Sequence, residues 1–183
     1  MSGQSRKIKR LVLAAACLAL GYLLPFLTGN NFALGQMLSP MHIPALLCGF
    51  LCGWPYGLAV GAVMPLMRFV LVGAPPLHTA IIMAFELATY GAVAGLLYAR
   101  LRGKRFGTVI ALVVAMLAGR VVGGLVSIPV LSIFAKNPIT FAAFWTNYFL
   151  TPWPAIVVQL LVVPSVVHML EAAKIMSATE ASK

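Results

Sequence analysis

The chain has 183 residues, 62% of them hydrophobic and only 9% charged, where a soluble domain carries about 25% charged residues. A chain of this length cannot bury so much apolar surface in a water-soluble core, so composition excludes an ordinary soluble domain and leaves the bilayer as solvent. The net charge of +10 does not argue for nucleic acid, because the basic residues gather at the ends of apolar runs, where membrane topology puts them.

In chain order, a basic arm over residues 1–10, with Arg6, Lys7, Lys9 and Arg10, precedes the first apolar run. That run, about 11–27, reads as a retained helix, since no small-residue cleavage site followed by a soluble domain is evident. Ala15 and Ala19 on it form a small-xxx-small pair, which lets another helix approach closely. The second helix, about 41–53, is short and rich in Gly and Pro; it is either a crossing or a re-entrant segment, which must be covered by protein or water. The remaining helices are expected at about 55–72, 77–100, 106–134 and 154–172, with a tail over 173–183; each is near the length of about 20 residues that spans a hydrocarbon core. The fold class is thus all-α, a polytopic membrane protein with six transmembrane helices in one compact bundle.

Six crossings place the basic arm, the Arg100–Arg105 cluster and the Lys174 and Lys183 tail on one side, which the positive-inside rule makes cytoplasmic. The outer segments are then 28–40, 73–76 and 135–153, with Lys136 their one charge. They are rich in amides and aromatics: Asn30, Asn31 and Gln36 in the first, and Asn137, Trp145, Asn147, Tyr148 and Trp153 in the third. Such a mixture makes either a lid over a small ligand or an interfacial aromatic belt. Cys17, Cys48 and Cys52 lie in apolar runs with no His or acid completing a metal set, and read as small buried side chains.

Arg68, Glu86 and Arg120 are the charges inside the apolar body. Each is costly alone in hydrocarbon and must face the protein interior. At a rise of about 1.5 Å per residue, Arg68 lies roughly 6 Å and Glu86 roughly 13 Å below the outer end of its helix, and Arg120 about 10 Å from the outer face. Gln159 falls at a similar level, so the polar groups share the outer half, where a pocket opening outward would explain them. Glu86 and Tyr90 are one turn apart on one face. Glu86 and Arg120 make either a structural ion pair or ligand contacts. Arg68 is then left over, and a cation without a protein partner near the surface suits an anionic ligand group; otherwise it snorkels to the headgroups. His42 and His78, beside Pro-bearing turns near outer helix ends, are either site residues or packed imidazoles; His168, near the inner end of the last helix, reads as structural.

The basic arm, the Ala15-xxx-Ala19 stripe, the polar outer segments and the stretch from Ser39-Pro-Met-His-Ile-Pro through Pro65-Leu-Met-Arg68, Gly73-Ala-Pro-Pro76 and Met83-Ala-Phe-Glu86-Leu-Ala-Thr-Tyr90-Gly resemble the S components of energy-coupling factor (ECF) transporters over nearly the whole chain. The resemblance implies a substrate-binding subunit in a prokaryotic cell membrane, multi-pass, with both termini cytoplasmic. It implies capture of a vitamin at the outer face, docking of Ala15 and Ala19 on a membrane scaffold subunit, and two cytoplasmic ATPases as the motor. The chain has no G-x-x-x-x-G-K-[ST] loop to cradle ATP itself. Depth and resemblance together nominate Asn31, His42, Arg68, Glu86, Tyr90, Arg120, Asn147, Trp153 and Gln159 as the substrate-binding set, with no metal, no cofactor and no catalytic residue. The excess of positive charge suits a small carboxylate such as pantothenate; a corrinoid of the cobalamin type is the other candidate. An enzyme is disfavoured, because neither G-x-S-x-G nor H-E-x-x-H occurs. A stand-alone carrier using Glu86 as a proton site is the competing function, although no internal repeat is evident.

Overall fold

The computed structural model describes residues 3–28, 32–104, 106–134 and 140–173. Asn30, Asn31, Arg105, Lys136, Asn137, Lys174 and Lys183 lie outside the described residues.

The first helix, α1 (Gly3–Leu23), runs on into a 3-10 turn (Leu24–Thr28). It begins at Gly3 rather than near residue 11, because Arg and Lys are good helix formers and nothing in the basic arm breaks the hydrogen-bond ladder. The second crossing is built from two pieces, α2 (Phe32–Leu38) and α3 (His42–Cys52). Together Leu34–Cys52 are long and apolar enough to span. Between the pieces Ser39 takes φ +42, a left-handed conformation costly for a residue with a Cβ. Its Oγ donates to the Gln36 carbonyl at 3.0 Å, and its own carbonyl accepts from His42 N at 3.0 Å, which closes the corner before Pro40. Except for Ile43, every residue of α3 is buried, so this short segment is covered by protein.

Next come α4 (Trp54–Val72), α5 (Leu77–Leu101) and α6 (Gly107–Phe134). Gly53 at φ +92 and Pro55 in the first turn start α4, and Gly73 at φ +73 ends it in the left-handed cap that favours glycine. A short α7 (Phe141–Trp145) continues as a π-turn (Thr146–Leu150) and is followed by α8 (Trp153–Ala172). Thr140 caps α7 by accepting from Ala143 N at 3.2 Å. Among the described residues there is no strand, and six helical spans are long and apolar enough to cross a membrane. Large apolar side chains such as Leu11, Val70, Leu125 and Leu161 point outward; water would not tolerate so wide an apolar surface, and lipid does.

The bundle centres on α5, which packs most heavily on α4 and α6 and also on α3. Glycine makes these crossings close. A Cβ at Gly49 would fall on the Gly91 carbonyl, one at Gly61 on the Leu87 carbonyl, and one at Gly95 on the Trp54 backbone. Helices that touch backbone to backbone gain dispersion and Cα–H···O contacts that larger residues would prevent. Helix α1 lies against α3 and α4 through Ala14, Cys17 and Gly21, while Ala15 and Ala19 remain exposed.

At the end of the bundle carrying the α5–α6 turn, Glu171 ties α8 to α5. Its Oε1 accepts from the Tyr98 hydroxyl and lies 3.8 Å from Arg102 Nε, and its Oε2 is 3.1 Å from His168 Nδ1. Glu171→Ala is expected to lower stability by about 1–2 kcal/mol, read as a drop of a few degrees in thermal unfolding in detergent.

Candidate functional site

A cavity of about 360 Å³ opens at the opposite end, beneath α2, the α4–α5 turn and the π-turn that follows α7. Four elements bring polar groups to its wall: α3 supplies His42, α4 supplies Arg68, α5 supplies His78 and Glu86, and α6 supplies Arg120 and Ser127. Asn147 and Tyr148 contribute from the π-turn, Gln36 from the end of α2, and Ser39 from the corner between α2 and α3. Met83 and Ile82 add apolar surface, the mixture that binds small organic molecules.

Glu86 sits at the centre of a hydrogen-bonded group. Its Oε1 accepts from the Tyr90 hydroxyl at 2.9 Å and faces His42 Nε2 at 3.5 Å. The His42 and Tyr90 rings lie 5.2 Å apart at 57°. Tyr90 is fully buried and positions Glu86 from behind, without reaching the cavity wall. The space for this arrangement comes from α6. Gly119 lies against the Tyr90 ring, and a Cβ at Gly123 would stand 3.2 Å from Glu86 Oε2 and 3.1 Å from the Tyr148 ring.

The two arginines are held differently. Arg68 Nη1 donates to the Tyr22 carbonyl of α1 at 2.9 Å, and its Cζ stands 4.8 Å above the Phe26 ring. The expectation of a cation left without a protein partner therefore does not hold for Arg68. A backbone carbonyl and an aromatic face stabilise it while the side chain still lines the cavity. Arg120 does not pair with Glu86 either: among the described residues no ion pair within 4.0 Å joins them, and the Glu86 partners are His42 and Tyr90. Arg120 Nη1 donates to the Tyr148 carbonyl, and Cζ lies 5.7 Å above the Phe149 ring. The Tyr148 hydroxyl, outside the spanning helices, is pushed above its ordinary pKa by burial and by the Glu86 carboxylate, so it stays protonated.

Of the residues nominated from sequence, His42, Arg68, Glu86, Arg120 and Asn147 line the cavity and Tyr90 contacts Glu86. Trp153 is 62% exposed and stands apart from the wall. Gln159 is fully buried, is not part of the wall, and leaves both amide atoms without a partner. Asn31 lies outside the described residues. Sequence reasoning passed over Ser127, although it is two helical turns from Arg120 and so shares its face. His78 was left between two readings, and the structure puts it on the wall. Among the described residues no group of three His, Cys, Asp or Glu side chains is arranged to hold a metal ion.

The model of one protein family, described as the substrate-specific component of ECF transporters, matches residues 9–167. No curated protein and no solved structure matches the chain.

Proposed function

From the premise that this chain belongs to the family of ECF transporter substrate-specific components, we propose that it captures a small anionic vitamin in the cavity between α3, α4, α5 and α6 and releases it on the cytoplasmic side. Members of the family bind small substrates and work with an ECF scaffold and an ATPase module. They are transport subunits rather than enzymes, and six apolar helices make this one a multi-pass membrane protein. On this proposal, a prokaryotic cell membrane holds the chain with both termini inside. The cavity faces outward, the exposed face of α1 around Ala15 and Ala19 meets the scaffold, and two cytoplasmic ATPases supply the work.

The single observation that carries the substrate reading is the cavity wall, with two arginines against one glutamate. An excess of fixed positive charge in a low-dielectric recess favours an anion. A volume of about 360 Å³ lies at the small end for ligand sites. It suits a compact carboxylate such as pantothenate better than a corrinoid of the cobalamin type. Native mass spectrometry of the purified protein tests the reading directly: a co-purifying small acid supports it, and a bound corrinoid or organic cation contradicts it. Uptake by vesicles containing scaffold and ATPases separates it from a proton-coupled carrier based on Glu86, because only the ECF mechanism requires ATP.

Arg68→Ala is expected to weaken pantothenate binding by about tenfold or more, the effect of losing a charge-assisted contact. It should also lower the unfolding temperature slightly, since the Tyr22 carbonyl loses its donor. Titration calorimetry on the folded variant reads the first effect; unchanged affinity would remove Arg68 from the binding set.

A further inference from the structure

Arg120 carries two terminal nitrogens, and the protein satisfies one of them. Nη1 donates to the Tyr148 carbonyl in the π-turn, whereas Nη2 is buried without an acceptor. The residue is 3% exposed, so bulk water does not supply one freely. Glu86 does not neutralise it in a contact pair, being engaged by Tyr90 and His42. A guanidinium that keeps one N–H pair unmatched in a wall of low dielectric gains from an acceptor once a small shift of the wall uncovers that pair, and a charged acceptor gains most. The guanidinium is planar, with its donors in a fixed fork. Wherever the Tyr148 carbonyl holds Nη1, the direction of Nη2 is set as well.

The segment on the other side of this bond has a defined seat. The Phe144 ring lies against Gly124, the Tyr148 ring stands against Gly123, and Phe149 lies under the guanidinium. All of these contacts are made by one face of α6 with the 141–150 segment, and they meet at Arg120. We propose that Arg120 is shared between lid and ligand: Nη1 fastens the 141–150 segment over the cavity and Nη2 takes the anionic group of the ligand, so that anion binding and lid closure are one coupled event. This inference rests on the substrate-binding reading above and deepens it, by naming the residue that reads the charge and the element that responds.

The test uses the full chain in lipid nanodiscs and hydrogen exchange over residues 141–150. Propionate serves as a probe that offers only a carboxylate, propionamide as its neutral counterpart, and chloride as the control at equal ionic strength. In chloride, Arg120→Gln is expected to speed exchange of the lid amides by about tenfold, the effect of one charge-assisted hydrogen bond. Propionate is expected to slow exchange in the parent protein, propionamide to leave it as in chloride, and the variant to respond to neither. Amides of α5 around Glu86 report that the bundle remains folded. If Arg120→Gln does not fold, Arg120→Lys keeps the charge without the fork and is expected to show the same fast lid and the same loss of response. The proposal is overturned if the variant lid exchanges like the parent, or if propionate and propionamide act alike, including no action by either. Such a result alongside intact ATP-dependent uptake removes the role of Arg120 and leaves the transport reading standing; loss of ATP-dependent uptake in the parent removes that reading instead.

Discussion

Gly91→Val is expected to abolish the well-packed bundle, with a loss of about 3 kcal/mol or more, the upper range for forcing volume into a filled core. Its Cβ would fall on the Gly57 backbone, and the Gly91 carbonyl already receives Gly49 from the other side. Helix α5 has no free direction in which to shift, because α3 and α4 press on the same turn. A side chain at the crossing can neither rotate away nor push aside a flexible neighbour, since the neighbour is main chain. The measurement is size-exclusion and thermal unfolding in detergent: a broad, aggregated profile or a fall of many degrees is the expected result. Gly35→Ala is the matched control, because nothing stands within 4 Å of a Cβ built there. A Gly91→Val protein as stable as its parent would show that the α3–α4–α5 crossing is looser than described.

The second large effect is expected on transport and not on stability. Ala15 and Ala19 lie on the exposed side of α1, while Ala14, Cys17 and Gly21 of the same helix are buried against α3 and α4. Replacing Ala15 and Ala19 with tryptophan therefore adds bulk to an exposed face of the described residues and not to the buried packing against α3 and α4. If that surface seats the scaffold subunit, helix-to-helix approach is lost, since such contacts depend on small residues. Substrate uptake in vesicles containing the whole transporter should fall by about tenfold or more, the loss matching about 1.4 kcal/mol or more of docking free energy. Binding by the isolated subunit and its unfolding temperature should stay at parental values. Uptake that survives both substitutions would move the docking surface elsewhere.

Much of the architecture is legible in the sequence because the bilayer imposes simple demands. Apolar runs near the spanning length mark helices, and the Gly/Pro corners at 53–55 and 73–76 mark their ends. Charges in apolar runs must turn inward, and Arg68, Glu86 and Arg120 all reach one cavity. What the sequence conceals is the identity of their partners. Arg68 is satisfied by the carbonyl of Tyr22 and Arg120 by the carbonyl of Tyr148, and a backbone acceptor leaves no mark in a string of side chains. Depth along a helix axis likewise places Gln159 at the level of Arg120 without saying which way its side chain turns, and Trp153 shows the same loss of angular information. The extended start of α1 was hidden for a different reason: hydropathy ends where the basic residues begin, but helical hydrogen bonding does not.

The glycine crossings have a mechanical consequence. Contacts made of main chain have no alternative rotamers, so α3, α4 and α5 resist sliding past one another and behave as a single stiff slab. His42, Arg68 and Glu86 are carried by those three helices, so their mutual spacing is expected to hold. Enlargement of the chamber is then expected at the edges formed by other elements: the corner between α2 and α3, the α4–α5 turn, and the wall that α6 and the aromatic π-turn supply.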